Sequence, residues 1–460
     1  MTLLQLTSLI LLLPISYMLY KIYKKRELNM FDLLLTFTIL HFAISPLLSK
    51  GYHHYCEIYI YKVFLVLALF ETSLLSLSLL WDYYYSTSNS IINTTRYLRN
   101  LESVNITKVG FVVLGGILFA VLVIYMPYAT LTTRINDAEN LISKDYALKS
   151  TLVMLYIGIS ILLMVLILRM VLQFKKGKVN PMDLGFTLFC FLICTFFPRR
   201  FFLQNLLFLL ILFYSTCREK INLRFMVIVS VSAFLVFQIY FPFYNIIRNN
   251  PIRLNVDAPL QSLYEIVQYG IENQSLYKQA EESTRQRSVG LYDALYCLQR
   301  NGKMLQGGDL IISEIDLAIP KIINPDKGNG SEGTLQSMTG RYVDIADSYL
   351  LESCGDFGVF GGIVAVLLYM AVFALYHFAD KLLNMTTGQK LLSIFVLYGL
   401  FEVCWNVEGK FGSALSWFFS SFFWIVLLFL CSYFKIICVK ERRINIRQLI
   451  NSYKHAHRLY

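Results

Sequence analysis

The chain has 460 residues, of which 56% are hydrophobic and 15% are charged, and its formal net charge is +11. Soluble domains carry about a quarter charged residues, so a chain with this little charge needs lipid around part of its surface, and a cytosolic enzyme is excluded. The 31 tyrosines and 35 phenylalanines exclude a fibrous or disordered chain. The nine cysteines form neither a Cys-x-x-Cys motif nor a Cys/His cluster, so we expect no disulfide framework, no metal and no cofactor.

Eleven apolar segments are candidates for membrane-spanning helices, which need about 20 mostly apolar residues each. The segments cover residues 2–20, 30–48, 58–81, 109–128, 150–173, 183–197, 201–214, 225–246, 348–378, 391–406 and 411–437. The sixth and seventh are short and are separated only by Pro198, Arg199 and Arg200, which predicts a tight helical hairpin or, alternatively, one long broken helix. The predicted fold is an all-α polytopic membrane protein with about 11 transmembrane helices.

The basic residues predict the orientation of these helices. No basic residue precedes the first segment and four follow it, Lys21, Lys24, Lys25 and Arg26, which places its end in the cytoplasm and excludes a cleaved signal peptide. Propagating this direction through eleven segments puts the N-terminus outside the membrane and the basic C-terminal tail in the cytoplasm. Orientation and anionic lipid then explain the positive charge, and no nucleic acid is needed as a partner.

The same topology divides the chain into four parts. They are residues 1–246 with helices 1–8, residues 247–347 as one large periplasmic or extracellular loop, residues 348–437 with helices 9–11, and residues 438–460 as the basic cytoplasmic tail. A loop of this length usually folds and carries function.

The large loop is predicted to be partly helical. Apolar residues at helical spacing recur around 260–267, 291–298 and 309–319. The last of these stretches is expected to begin at Asp309 as its N-cap and to end at Pro320. Residues 328–340 are rich in glycine and are predicted to be a mobile segment.

Arginines collect on the predicted outer side. Arg199 and Arg200 lie at the outer end of the predicted hairpin, where an arginine costs roughly 2.5 to 3.5 kcal/mol, so we expect one of them to bind an anion, with snorkelling to headgroups as the alternative. Arg248, Arg287 and Arg341 lie on the same side. The guanidinium fork holds two phosphate oxygens at once, and the loop has no Asp-x-Asp motif for Mg²⁺, so arginines alone would bind a pyrophosphate. Ion pairs with neighbouring acids are the alternative role.

Two lysines of the loop belong to a rigid turn. Lys321 follows Pro320 and Lys327 follows Pro325 by two positions, so the prolines preset the directions in which both lysines point. The lysines either bind phosphate or are simply solvated.

Carboxylates mark the place where the chain returns to the membrane. Asp344, Asp347 and Glu352 fall on one helical face and are candidate catalytic bases that could accept a proton from a sugar hydroxyl. Helix capping and an ion pair with a loop arginine are the alternatives. The glycines that follow, Gly355, Gly358, Gly361 and Gly362, predict close helix packing.

Two runs resemble the bacterial polysaccharide repeat-unit polymerases (Wzy-type O-antigen and capsule polymerases). The first, residues 318–327, has an Ile-Pro-Lys turn followed by Pro-x-Lys, and the second, residues 347–362, has a glutamate followed by regularly spaced glycines at the start of a span. The pair Arg199 and Arg200 resembles the arginine that often opens a span in that family. The resemblance covers the architecture of most of the chain but individual residues only in these stretches.

The resemblance implies a GT-C-like membrane glycosyltransferase without metal or other cofactor. Its substrate would be an oligosaccharide repeat unit on undecaprenyl pyrophosphate. Its product would be O-antigen, capsular polysaccharide or exopolysaccharide. Its partners would be membrane lipid, a chain-length regulator and a flippase. Arg199 or Arg200, Lys321 and Lys327 would hold pyrophosphate, and Glu352 would take part in the reaction.

Three alternatives remain open. The intramembrane carboxylates Glu71 and Glu402 would suit a lipid-linked glycan transporter or flippase. An O-antigen ligase is disfavoured because the large loop contains none of the six histidines, whereas that family uses a histidine there. A membrane scaffold would use the loop only for binding.

Overall fold

The computed structural model describes the chain in several parts. It covers residues 3–26, 28–48, 55–85, 104–106, 290–301, 305–319, 330–340, 348–387, 393–419 and 437–439, with separate positions in 163–187, 205–214 and 261–272 and at 324. The described part is almost entirely helical, with one pair of short strands, β1 (Val104–Ile106) and β2 (Ile437–Val439), which are antiparallel. The predicted spans 109–128 and 225–246 lie outside the described residues, and those at 150–173, 183–197 and 201–214 are described only at separate positions.

Residues 3–48 and 55–85 form apolar helices, of which the last is long. These are α1 (Leu3–Leu11), α2 (Pro14–Tyr23), α3 (Met30–Ile39), a π-helical turn (Leu40–Ile44), α4 (Ser45–Leu48) and α5 (Glu57–Tyr85). The first predicted span is broken before Pro14, because proline lacks the N–H that a continuous helix would need. Helix α3 begins at a capping box in which the Asn29 side chain accepts from the Asp32 amide and the Asp32 side chain accepts from the Asn29 amide.

The C-terminal part adds shorter helices before and after one long helix. These are α6 (290–301), α7 (Asp309–Ala318), α8 (Glu332–Thr339), α9 (Tyr349–Phe357), a 3-10 turn (Gly358–Phe360), α10 (Gly361–Thr387), α11 (Ser393–Trp405) and α12 (411–419). The predicted helices at 291–298 and 309–319 are confirmed by α6 and α7. Tyr264, on the apolar face predicted at 260–267, is exposed.

Hydropathy and length identify a helical membrane protein. Among the described residues three stretches are long and apolar enough to cross a bilayer, Leu3–Tyr23, Glu57–Tyr84 and Tyr349–Ala379, and Met30–Ile44 and Val396–Trp405 are shorter apolar helices. Helix α5 packs against α3 and α10, and α11 packs against α10 and α3, so these four helices form the core of the described bundle.

The predicted single span at 348–378 is wrong, because α9 and α10 form a hairpin. The rings of Tyr349 and Tyr369 stack with their centroids 4.1 Å apart, whereas twenty residues of continuous helix would separate them by about 30 Å. The chain reverses at Gly358, whose φ of 60° suits glycine. At Gly361 a Cβ would lie only 2.5 Å from the Cα of Cys354. Glycine at these two positions is what allows the reversal.

Contacts between side chains fix the depth of the hairpin along α5. A Cβ on Gly362 would lie 2.5 Å from the carbonyl oxygen of Val66, so α10 begins at the level of Val66 and the predicted packing role of these glycines is confirmed. Tyr369 contacts Phe70, with ring centroids 6.2 Å apart. Helix α10 therefore packs along α5 from Val66 to Phe70, and α9 packs on α10.

Candidate functional site

A cluster of polar side chains lies where the turn between α11 and α12 meets helix α8 and the π-helical turn. Its charged side chains are partly exposed, with exposed fractions of 27% for His41, 15% for Glu408, 23% for Lys410 and 43% for Glu332. The Lys410 Nζ lies 3.0 Å from Glu332 Oε2, and the His41 Nδ1 lies 4.0 Å from Glu408 Oε1. We call these four residues the chamber.

The chamber is partly exposed but adjoins the buried aromatic core of the bundle. Phe411 follows Lys410 directly, and its ring contacts Tyr349 with centroids 5.6 Å apart. Tyr349 stacks on Tyr369, which contacts Phe70 near the middle of α5. The sequence places Lys410 at the outer end of a span, and these ring contacts link the residue after it to the core of the bundle through Tyr349 and Tyr369.

Two buried glutamates form the wall behind the chamber. Glu314 of α7 and Glu352 of α9 are both fully buried. The Ser331 amide and hydroxyl each donate to Glu314 Oε1 at 2.8 Å, and the same hydroxyl lies 3.4 Å from Glu352 Oε1. The Phe411 amide donates to Glu352 Oε2 at 3.3 Å. These bonds tie the loop helices α7 and α8 to the hairpin and to the start of α12.

One oxygen of this wall has no donor. Glu314 Oε2 is buried and has no hydrogen-bond partner among the described residues. Gly412 approaches it closely, since a Cβ there would lie 2.5 Å from this oxygen. A buried polar atom without a hydrogen-bond partner destabilises the folded state by roughly 1–3 kcal/mol, and the hydrogen bonds to Glu314 Oε1 offset part of this cost.

Helix α7 is capped by a residue from another helix. The predicted N-cap Asp309 is wrong: the cap residue is Gly308, which has no side chain, and Asp309 is exposed. The Asp356 carboxylate, which is buried, accepts instead from the amides of Leu310 and Ile311 at 3.1 Å each. Sequence spacing could not reveal this cap because its acceptor lies on α9.

Residues 328–340 were predicted to be mobile, but part of them forms the ordered helix α8. Leu335 and Met338 are buried and lie next to Gly355, where a Cβ would overlap Leu310. Two apolar residues spaced i, i+3 in a polar stretch were the only local signal for this helix. Its order comes from tertiary packing.

Of the predicted site residues, Glu352 is the one that the structure describes. Its carboxylate is fully buried and hydrogen-bonded, so in this conformation the geometry gives it a positioning role and no contact with solvent. The other predicted site residues, Asp344, Asp347, Arg199, Arg200, Arg248, Arg287, Arg341, Lys321 and Lys327, lie outside the described residues. Their roles stay predictions.

The loop's cysteine is not suited to nucleophilic chemistry. Cys297, the one cysteine in residues 247–347, is half-buried in α6. Burial raises the pKa of its thiol, and the charge of Arg300 lowers it by less. At neutral pH Cys297 is therefore a thiol and not the reactive thiolate.

A second polar cluster lies at the opposite end of α5. Lys21 is buried, and its Nζ lies 2.5 Å from Asp32 Oδ2 and 2.6 Å from Asp82 Oδ2. Ser78 donates to Asp32 at 2.5 Å, and Asn29 donates to Asp82 at 3.1 Å. We call these five residues the Lys21 cluster. Lys21, which the sequence offered only as one of four basic residues that orient the first span, is thus a buried structural residue.

Comparison with known proteins adds no relative. No protein-family model, no curated protein and no solved structure matches the chain. Function therefore has to be inferred from the residues themselves.

Proposed function

We propose that the chain is a membrane glycosyltransferase that joins oligosaccharide repeat units carried on undecaprenyl pyrophosphate. The observation that carries the proposal is the chamber: partly exposed carboxylates and a lysine that adjoin the buried core of an apolar bundle. Charged groups beside membrane-spanning helices are costly, and they normally mark a substrate path or an active site.

The chemistry of glycosyl transfer suits a chamber rich in carboxylates. Positive charge develops at the anomeric carbon in the transition state, and carboxylates stabilise it or accept the proton of the attacking hydroxyl. Glu408 and Glu332 are the accessible carboxylates of the chamber. Asp344, Asp347 and Glu352 remain the candidates that the resemblance to repeat-unit polymerases favours.

The pyrophosphate would be held by basic residues of the predicted outer side. Among described residues the chamber and its wall contain four glutamates and one lysine, so an anion needs additional cations to bind there. In the proposal these are Arg199, Arg200, Arg248, Arg287, Arg341, Lys321 and Lys327.

The pairing of strands β1 and β2 supports the proposed topology. Strands that pair lie on one side of the membrane, so the chain crosses an even number of times between Ile106 and Ile437. Eight spans fall between them in the proposal, with α10 alone in place of the predicted span 348–378. In the proposal the Lys21 cluster and these strands face the cytoplasm, and the chamber opens outward.

Reconstitution tests the proposed activity. We expect the purified protein in liposomes to convert lipid-linked single repeats into a ladder of longer chains without added metal. Arg287→Ala and Arg341→Ala should abolish the ladder at normal protein abundance, while Lys24→Ala, at the opposite end, should leave it unchanged. Loss of the gene should leave the host with single repeats on the lipid carrier, and long chains that persist would contradict the proposal.

A transporter of lipid-linked glycan is the second candidate. Glu71, in the middle of α5, is buried, and its Oε1 has no hydrogen-bond partner among the described residues. An isolated carboxyl at this depth is typical of proton-coupled transport. Liposomes in which labelled lipid-linked glycan changes leaflet but is never extended would favour the transporter.

A further inference from the structure

Glu71 is a buried carboxyl in the apolar part of helix α5. It is 2% exposed, and its Oε1 has no hydrogen-bond partner among the described residues. Between residues 63 and 81 the sequence of α5 contains no other charged residue, and α5 is one of the described helices that are long and apolar enough to cross a bilayer. An acid in such a place needs a group that compensates its charge.

The elements packed against α5 bring no described cation to Glu71. They are helices α1, α3 and α10 and the 3-10 turn. Helix α1 and the 3-10 turn have no ionisable side chain, and Asp32, the ionisable residue of α3, is bound by Lys21 in the Lys21 cluster. The described ionisable side chains of α10 are Tyr369, Tyr376 and His377. The first contacts the residue before Glu71 through its ring, and the other two lie roughly 11 Å further along α10.

A second buried polar group without a partner lies on α1. Ser8 is 1% exposed, and its hydroxyl has no hydrogen-bond partner among the described residues. Serine and threonine hydroxyls inside a helix usually bond to a backbone carbonyl of the preceding turn, as the neighbouring Thr7 does to Leu4 at 2.9 Å. Ser8 belongs to the buried side of α1, and α1 packs against α5.

Contacts near the end of α5 align the first two helices with it. The Tyr17 hydroxyl donates to Asp82 Oδ2 at 2.8 Å, and Lys21 Nζ lies 2.6 Å from the same oxygen. Because α5 ends one turn after Asp82, α1, which precedes α2, must pack along the earlier part of α5. Counting back about three turns from this contact reaches Ser8 on one helix and Glu71 on the other, so the two lie within about a turn of the same level.

Helical spacing also places Glu71 on the side of α5 that faces the first helices. Positions 71, 75, 78 and 82 fall on one face of a helix. Ser78 and Asp82 on this face bond to the Lys21 cluster, which belongs to α2 and α3. Val66 and Phe70, which contact α10, fall on a different face. Glu71 therefore points away from α10 and toward the side on which Ser8 lies.

Two unpartnered polar groups in one apolar region indicate a ligand that both can use. A carboxylate buried without a cation destabilises the fold strongly, and the usual outcome is that the group takes up a proton. As a carboxylic acid it becomes a hydrogen-bond donor, and a serine hydroxyl has two lone pairs that can accept from it. A proton therefore compensates Glu71 and gives Ser8 a partner.

We propose that Glu71 and Ser8 form a proton-binding site between α1 and α5, in which Glu71 is a neutral carboxylic acid that bonds to the Ser8 hydroxyl directly or through one water. Proton uptake adds one H⁺ to the carboxylate and changes no other group. The site does not depend on the proposed glycosyl transfer. In a transporter of lipid-linked glycan it would be the group that couples proton movement to transport.

Infrared spectroscopy reads this protonation state, because the C=O stretch of a carboxylic acid lies at a higher frequency than the stretches of a carboxylate. The protein is reconstituted in liposomes without glycan at neutral pH, and the spectrum of Glu71→Gln is subtracted from that of the wild type. We expect one carboxylic acid band in this difference. Glu57→Gln, at an exposed position of the first turn of α5, is the control and should remove carboxylate bands instead.

The hydroxyl partner is tested by Ser8→Ala, with Thr7→Ala as the matched control. Each variant is compared with its own double variant that also carries Glu71→Gln. Ser8→Ala should move the Glu71 band to higher frequency, because the acid loses a hydrogen bond, and Thr7→Ala should leave the band in place.

Two outcomes would overturn the proposal. Carboxylate bands in the Glu71 difference would show an ionised residue, and an acid band that Ser8→Ala does not move would remove Ser8 from the site. Thermal melting of each variant shows that the fold is kept, and Glu71→Met repeats the subtraction with an apolar side chain of similar length. No glycan is present, so the result is independent of whether the protein polymerises repeat units.

Discussion

The Lys21 cluster and the chamber with its wall are both charged groups within an apolar bundle, but they differ in how completely their atoms are paired. In the Lys21 cluster one lysine lies between two aspartates, and hydroxyl and amide groups bond the remaining oxygens. Around the chamber the carboxylates outnumber the cations, and Glu314 Oε2 has no partner among the described residues.

The difference separates a structural junction from a site that can change. A network with every buried group satisfied is rigid and joins three helix ends, α2, α3 and α5, in one arrangement. A network with spare acceptors and partly exposed charges can accept a ligand's hydroxyl or cationic groups without first breaking its own bonds. We therefore expect stability to depend most on the Lys21 cluster and activity to depend most on the chamber.

The largest expected effect is that of Lys21→Met. Removing the cation leaves Asp32 buried beside Asp82 without compensation, which typically costs about 3–5 kcal/mol. The melting temperature of the purified protein in detergent should fall steeply, while Lys24→Met, at an exposed position of the same helix end, should melt like the wild type. Equal melting of the two variants would show that the cluster is not a junction.

A smaller loss is expected for Ser331→Ala at the chamber wall. The change removes the hydroxyl that bonds Glu314 and leaves a buried carboxylate with one donor fewer, at a cost of roughly 1–3 kcal/mol. Ser337→Ala, on the exposed side of α8, is the control and should change the midpoint of denaturation little. A larger effect from Ser337 than from Ser331 would contradict the described wall.

Next in size is the effect of Asp356→Ala on helix α7. Loss of a capping side chain costs about 0.5–2 kcal/mol, and here the loss should be local. Amide hydrogen exchange should speed up in residues 310–318 and remain slow in α5. Asp309→Ala, which removes the carboxylate that the sequence alone would choose as the cap, should leave exchange in α7 nearly unchanged.

The smallest expected stability effect is that of Lys410→Gln. The ion pair with Glu332 is partly exposed, and such pairs contribute about 0.2–1 kcal/mol. A double-mutant cycle with Glu332→Gln measures the coupling directly. If the chamber is the active site, glycan extension should fall much further than stability does, and a parallel fall in both would argue for a purely structural pair.

Local sequence patterns were sufficient for helices that bury one face next to a clear stop signal. Helix α7 ends at Ala318, two residues before Pro320, and the leucines of α6 recur at helical spacing and are buried. Helix α8 could not be found in this way, because its sequence is polar and its order depends on Leu335 packing near Gly355.

The hairpin of α9 and α10 was missed because both helices are apolar, so hydropathy reports one stretch, Tyr349–Ala379, of 31 residues. Only the length of this stretch indicated that it is not one helix. As a continuous helix it would measure about 46 Å, which is well beyond a hydrocarbon core of about 30 Å. The chamber could not be predicted at all, because His41, Glu332 and Glu408 belong to three segments that are far apart in the sequence.

The account depends most directly on which side of the membrane the chamber opens to. Cys56 is exposed and lies just before α5. Its backbone amide donates to the Tyr296 hydroxyl of α6 at 2.9 Å, so Cys56 lies at the end of the bundle that holds the loop helices. In a variant that keeps only this cysteine, a membrane-impermeant maleimide should label intact cells as fully as lysed cells, whereas Lys24→Cys in the same background without Cys56 should react only after lysis. Labelling of Cys56 only after lysis would place the loop helices in the cytoplasm and contradict the account.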